Sequence, residues 1–280
     1  MRKINHIDKR IKTNMALLVS GKFASLFGTQ IFNFALSFYI LKITGSGISF
    51  AISLAVGALP RAILSPFAGA FTDIYDRKKA MVITDILSGV IVFMFYIFTL
   101  FAGIKIIAIY TIMFLLSVLN VFFVIAVDSS LPNMVDENRL TKINALNQSA
   151  TSSALILAPI IGGAAVQFFD ISVFILINAV SFILSGLSEM FIRFDVTVAN
   201  KERRERGQTT FRSILSNIYD GYRYVKKNQF LYSLVVFFLC LNFFFTLGYT
   251  VPLPYIIVDV LKFNSIQFGV IQSSASAGAL

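Results

Sequence analysis

The sequence predicts an all-α polytopic membrane protein. Three observations carry that expectation. Of 280 residues, 57% are hydrophobic and only 14% are charged, Phe alone supplies 30 positions, and the mean hydropathy is +0.79. A water-soluble domain cannot bury that much apolar surface. The apolar residues are gathered in runs long enough to cross a bilayer, where about 20 residues are needed. The charges, in turn, fall mostly in the connections between those runs. Runs this long without alternation do not suit a barrel, and in lipid only helices can satisfy their backbone groups.

Seven complete runs are expected to span: Ala16 to Ile43, Ile48 to Phe71, Ala80 to Ala102, Ile106 to Val127, Leu146 to Phe169, Ile171 to Ile192 and Phe230 to Val258. An eighth begins near Ser265 and reaches Leu280. The first run is too long for a signal-peptide core and reads as an uncleaved helix. The connection Arg193 to Gln229 is the longest and marks a boundary. The expected organisation is a six-helix bundle over 1–193, a cytoplasmic linker over 194–229, and the start of a second bundle over 230–280. Within the linker, KERRERG (201–207) must be solvated. Phe211, Ile214, Leu215, Ile218, Tyr222 and Val225 then recur at helical spacing, which predicts an amphipathic helix along the membrane face.

Cation placement sets the expected orientation. Five Lys/Arg lie in the N-terminal tail, three follow Asp76, two lie in the 128–144 connection and nine in the long linker, against three on the opposite side. By the positive-inside rule the N-terminus and linker face the cytoplasm of a cell membrane. The net charge of +10 is therefore a matter of topology, and no nucleic-acid partner is expected. Lys22 and Arg61 are the two cations inside helices.

Between the second and third runs the sequence reads GAFTDIYDRKK, from Gly69 to Lys79. This resembles the signature loop between helices 2 and 3 of the Major Facilitator Superfamily. Gly69, Phe71, Thr72, Asp73, Arg77, Lys78 and Lys79 match that loop, while Ile74 stands in place of a cation and Asp76 in place of a glycine. LFGTQIFNFALSFYILKITGS, GALPRAILSPFAG and LPNMVDENRLTKINALNQ, in order along the chain, look like the macrolide-efflux and enterobactin-exporter-like branch. In the fifth run, APIIGG (Ala158 to Gly163, with Pro159, Gly162 and Gly163) resembles the Gly/Pro motif of drug antiporters; generic small-residue packing would read the same way.

The resemblance implies two six-helix bundles that rock in alternating access around a midplane substrate. It implies efflux of drugs or other amphipathic, macrolide-like small molecules, driven by proton antiport. Helix 4 lacks the arginine that such antiporters often carry there. Alternatives are export of a siderophore or other metabolite, or a membrane sensor that does not transport. The resemblance also implies that Arg77 pairs with Asp128 in an outward-facing state, and that Asp73 caps or holds a helix of the second bundle. The full-length protein is expected to be monomeric. The 280 residues are expected to be a fragment that does not transport alone, because Leu280 falls where a helix would be in mid-bilayer.

No catalytic set is present in the sequence. His6 is the only histidine, so a His-based metal site or triad is not expected, nor is any cofactor. The polar residues inside apolar runs are the better guide. Arg61, directly after Pro60, is expected either to face a hydrated cavity or to bond backbone groups freed by Pro60. Gln30, Asn33, Asn120 and Asn242 are further cavity candidates, with Phe34, Phe38 and Phe245 as aromatic walls.

Overall fold

The computed structural model describes residues 2–193, 221–250 and 252–278. Six long helices form the bundle: α1 (Arg2–Thr44), α2 (Gly47–Ile74), α3 (Arg77–Ala102), α4 (Ile106–Met134), α5 (Glu137–Ala165) and α6 (Ile171–Met190). Beyond the linker come α7 (Gln229–Phe245) and α8 (Ser265–Gly278). No strand occurs among the described residues. The neighbours are α3 with α6, α1 with α6 and α5, α2 and α3 with α4, and α5 with α8.

Helix ends follow local chemistry. Gly45 and Gly103 sit at φ +58° and +69°, left-handed values that glycine adopts without strain, and they close α1 and α3. Ser46 caps α2 by accepting from the Ser49 amide, and Asp76 caps α3 by accepting from the Lys79 amide at 3.1 Å.

Several helices outrun the apolar runs that predicted them. α1 starts well before Ala16 because Ile11, Met15 and Leu18, at helical spacing, are buried against Met81, Val127, Met134 and Ile192. α4 continues past Asp128 to Met134, carrying Leu131 and Met134 into the same cluster. Asp128 therefore lies inside α4 rather than at its end.

Five described helices, α1 to α4 and α6, are long and apolar enough to cross a membrane. A short helix, Gly221–Lys227, joined to α7 at a 103° bend, adds a sixth if the pair is one span. This is fewer than the seven complete runs read from the sequence. α5 falls short because its first half is polar, although it packs within the bundle against α1. The seventh run is not one α-helix. α7 stops at Phe245 and passes into five-residue π-helical turns, Thr246–Thr250 and Ile256–Val260, around a short helix Pro252–Tyr255. Pro252 and Pro254 lack the amide donors a continuous ladder needs, and wider turns absorb the mismatch. No residue of α7 is buried. Of the predicted linker helix, everything before Gly221 lies outside the described residues. Gly221–Lys227 is helical and largely exposed.

Two hydrophobic clusters hold the bundle at its ends. One surrounds Leu18, Met81, Val127 and Ile192, the other Phe32, Leu36, Val92, Ile109 and Ile175. Between them α1, α3 and α6 meet along a seam of small and polar residues. A Cβ on Gly21 or Gly28 would run into Ser188 or Ser181, and one on Gly89 would lie 2.8 Å from Ile183. Such residues let backbones approach closely without a large apolar side chain. Asp85 and Glu189 are buried in this seam, faced by the Ser185 hydroxyl. One oxygen of each, Asp85 Oδ2 and Glu189 Oε2, has no hydrogen-bond partner among the described residues. Below the seam, the Asn14 amide donates to the Arg193 carbonyl at 2.7 Å and accepts from the Arg193 amide at 3.1 Å, clasping the start of α1 to the chain leaving α6.

Candidate functional site

A cavity of about 730 Å³ opens between α1, α2, α4, α5, α7 and α8. Each helix supplies polar groups from within an apolar surrounding. α1 gives Gln30, Asn33 and Ser37, α2 gives Ser53 and Arg61, and α4 gives Ser117 and Asn120. Asn242 of α7 and Gln272 of α8 complete the polar lining. Phe34, Met113, Val121 and Phe268 form apolar wall, with the Phe34 and Phe268 rings stacked at 5.3 Å. Arg61 is the one charged side chain of the lining, and no carboxylate contributes to it among the described residues.

The five polar residues singled out from the sequence, Gln30, Asn33, Arg61, Asn120 and Asn242, thus lie on one cavity. Gln30 and Asn33 come from α1, Arg61 from α2, Asn120 from α4 and Asn242 from α7, so the cavity gathers one polar face from each of four helices. The Asn242 amide donates to the Phe238 carbonyl in its own helix. Of the three proposed aromatic walls only Phe34 lines the cavity. Phe38 stacks behind it at 6.2 Å, and Phe245 stacks on Tyr249 at 5.0 Å. Around Pro60 the loosened turn of α2 is tied to α4: the Ser117 hydroxyl donates to the Gly57 carbonyl at 2.5 Å.

The helix-5 motif is one wall of this cavity and the seat of α8. Pro159 lines the cavity, and a Cβ on Gly162 would lie 3.2 Å from the Phe34 ring. At Gly163 a Cβ would overlap the Ser265 carbonyl, and one on Gly269 would overlap the Pro159 carbonyl. The two backbones are therefore in direct contact. Ser265 and Ser273 of α8 donate to the Gly163 and Ile156 carbonyls of α5, both at 2.7 Å. Gly163 and Gly269 thus let the α5 and α8 backbones touch, while Gly162 faces Phe34 of α1.

The signature loop ties three helix ends together. The Arg77 guanidinium donates to the Ser129 carbonyl of α4, next to Asp128. Lys78 donates to the Met190 carbonyl at 2.7 Å, a cation on the C-terminal end of α6 where the helix dipole favours one. Asp76, in the glycine position of the signature, has φ −63°, so no left-handed turn is needed there, and it serves as a cap instead. Gly69 lies within α2, and a Cβ there would meet nothing within 4 Å. The side chain of Asp73 lies outside the described residues, as does the expectation for it.

The sequence reading missed a buried relay beside this loop. Lys22, 6% exposed, donates from Nζ to Asn147 Oδ1 of α5 at 2.7 Å, and Asn147 Nδ2 donates to Asp128 Oδ1 of α4 at 3.4 Å. The signal was present in a lysine within an apolar run, which the topology count set aside as neutral to orientation.

The geometry thus defines a class, a multi-pass helical membrane protein with a polar cavity between its helices. Over residues 18–280 the chain matches the Major Facilitator Superfamily, and it belongs to that family. It is 22% identical over 261 residues to macrolide efflux protein A of Streptococcus pyogenes, covering 93% of this chain and 63% of that protein. It is 27% identical over 274 residues to the uncharacterized MFS-type transporter YvqJ of Bacillus subtilis, covering 97% of this chain and 64% of that protein. A third relative, the uncharacterized MFS-type transporter YkuC of the same organism, is 28% identical over 237 residues, 82% of this chain and 54% of that protein. The chain thus spans just under two thirds of the length of the first two relatives.

Proposed function

We propose that the protein is part of a secondary active transporter that exports amphipathic small molecules across the cell membrane, with its N-terminus in the cytoplasm. The observation that carries this reading is the cavity. It joins side chains from four of the first six helices to Asn242 and Gln272 beyond the linker, a site between two parts of the chain rather than within one. Polar groups placed in an otherwise apolar lining suit a ligand with both characters. The name of the Streptococcus pyogenes relative supports efflux as the direction.

In this reading residues 1–193 form the N-terminal bundle, 194–229 the cytoplasmic linker, and 230–280 the start of a second bundle. Gln30, Asn33, Arg61, Asn120 and Asn242 contact substrate. Gly69, Asp73, Arg77, Lys78 and Asp128 belong to the cytoplasmic gate, where the loop's bonds to α4 and α6 hold one state and release in the other. Pro159, Gly162 and Gly163 let α5 bear closely on α8 while the bundles rock. Proton antiport supplies the energy, and no enzymatic step takes part.

The test is dye or antibiotic accumulation in cells expressing the complete gene, with and without a protonophore. Lower accumulation that the protonophore abolishes is the expected result. Accumulation equal to that of cells without the gene would remove the export reading.

A further inference from the structure

We infer that the cavity selects an anionic group on its substrate, a carboxylate or similar oxyanion carried by an otherwise apolar molecule, and that Arg61 binds it. This rests on the reading of the cavity as the substrate site, but the choice of charge follows from the lining alone.

Arg61 is exposed on the cavity wall, and no described residue hydrogen-bonds or ion-pairs with its guanidinium. A structural arginine in an apolar setting is held by carboxylates or carbonyls, because an uncompensated charge there is costly. The backbone beside Pro60 does not draw on it: among the described residues no bond runs from the guanidinium to the Val56 carbonyl, which Pro60 leaves without its amide donor, and the next carbonyl, Gly57, is reached by Ser117. The guanidinium is left facing the space a ligand would fill, with a planar fork of donors that matches an oxyanion in two parallel bonds.

The rest of the lining decides the sign. Gln30, Asn33, Asn120 and Asn242 are amides and Ser37, Ser53 and Ser117 hydroxyls, all neutral and able to donate or accept. The carboxylates of the neighbouring helices do not line the cavity. Asp85 and Glu189 are buried in the α1–α3–α6 seam, and Asp128, inside α4, accepts from Asn147. A lone positive charge within low-dielectric walls attracts an anion and repels a cation, and no described group offsets it. Phe34 and Phe268 offer the stacked face on which an apolar or aromatic body of the ligand would rest.

The test uses three ligands on one skeleton: 1-pyrenebutyrate, its methyl ester, and the pyrenebutyl-trimethylammonium cation. Binding to the purified protein, expressed from its complete gene, is read from ligand-induced thermal stabilisation. The carboxylate should bind at least tenfold more tightly than the ester, and the cation more weakly than either. Arg61→Gln should bring carboxylate and ester to equal affinity. Arg61→Lys, which keeps the charge without the fork, should retain an intermediate preference and serves where Arg61→Gln fails to fold. A cation bound as tightly as the carboxylate, a preference unchanged in the variants, or binding of none of the three would overturn the inference. Arg61-dependent binding of the carboxylate without flux in energised vesicles would uphold it and remove the transport reading instead.

Discussion

Replacing Asn147 by Leu should destabilise the protein more than replacing the lysine that Asn147 supports. Lys22 is 6% exposed, and among the described residues its hydrogen bond is the 2.7 Å contact to Asn147 Oδ1. A hydrogen bond from a charged donor contributes about 1.5–3 kcal/mol, and a buried charge stripped of its partner costs about 3–5 kcal/mol. Asp128, reached through Asn147 and itself exposed, still offers some attraction, so a loss of about 2–4 kcal/mol is expected for Asn147→Leu. At about 2–4 °C per kcal/mol for a domain of this size, the unfolding midpoint should fall by roughly 5–15 °C. Lys22→Met removes the charge together with its need for an acceptor and should cost under about 1 kcal/mol. The double variant should then resemble Lys22→Met, a coupling of about 2 kcal/mol between the two sites. Thermal unfolding of the four detergent-purified forms measures this. An Asn147→Leu midpoint equal to wild type, or strictly additive effects, would show that the lysine does not depend on the amide.

At the α5–α8 contact, Gly163→Val should cost about 1–3 kcal/mol through overpacking, because its side chain meets the Ser265 backbone, which cannot swing aside. Gly162→Ala, facing the rim of a movable phenylalanine ring, should cost measurably less in the same denaturation assay, and equal losses would contradict the direct backbone contact. In a Cys240→Ser background, Arg61→Cys should react with a membrane-impermeant thiol reagent from one side of the membrane. Protection from both sides would place position 61 away from the cavity. Arg77→Ala should impair export, and exchanging the charges of Arg77 and Asp128 should restore part of it. No recovery would remove the Arg77–Asp128 pairing from the gate.

Length and apolarity made the helices legible, and capping residues located several of their ends. What the runs could not show is where an apolar helix continues as an amphipathic one. Ile11, Met15 and Leu131 lie outside the uniform runs and are buried only because other helix ends come to them. The cavity was legible for a related reason. Gln30, Asn33, Arg61, Asn120 and Asn242 are costly in hydrocarbon, so each must turn inward, and inward faces converge. Ser53, Ser117 and Gln272 were passed over, since a serine in a membrane helix can bond its own backbone and gives no direction. Asp85 lies in the third apolar run and Glu189 in the sixth. Nothing in the linear pattern indicated that they would share one seam with Ser185. That depends on α3 and α6 running side by side, a pairing fixed by Gly89 and Gly186 meeting Ile183 and Ile86. The break after α7 had its signal in Pro252 and Pro254, outweighed in the reading by uninterrupted apolarity.

The Asn14–Arg193 clasp sets a timetable for synthesis. Its partners are 179 residues apart, and both hydrogen bonds need the chain to have been made through residue 193. At translation rates of about 5–20 residues per second, α1 waits roughly 10–35 s for the segment that completes it. During that interval Asn14 and Thr29, which end up against the chain leaving α6 and against Asn178 of α6, have no α6 to meet. The first helix to enter the membrane is therefore among the last to be fully packed. Whatever holds it meanwhile, α2 or a factor of the insertion machinery, acts on a polar face that the finished bundle conceals.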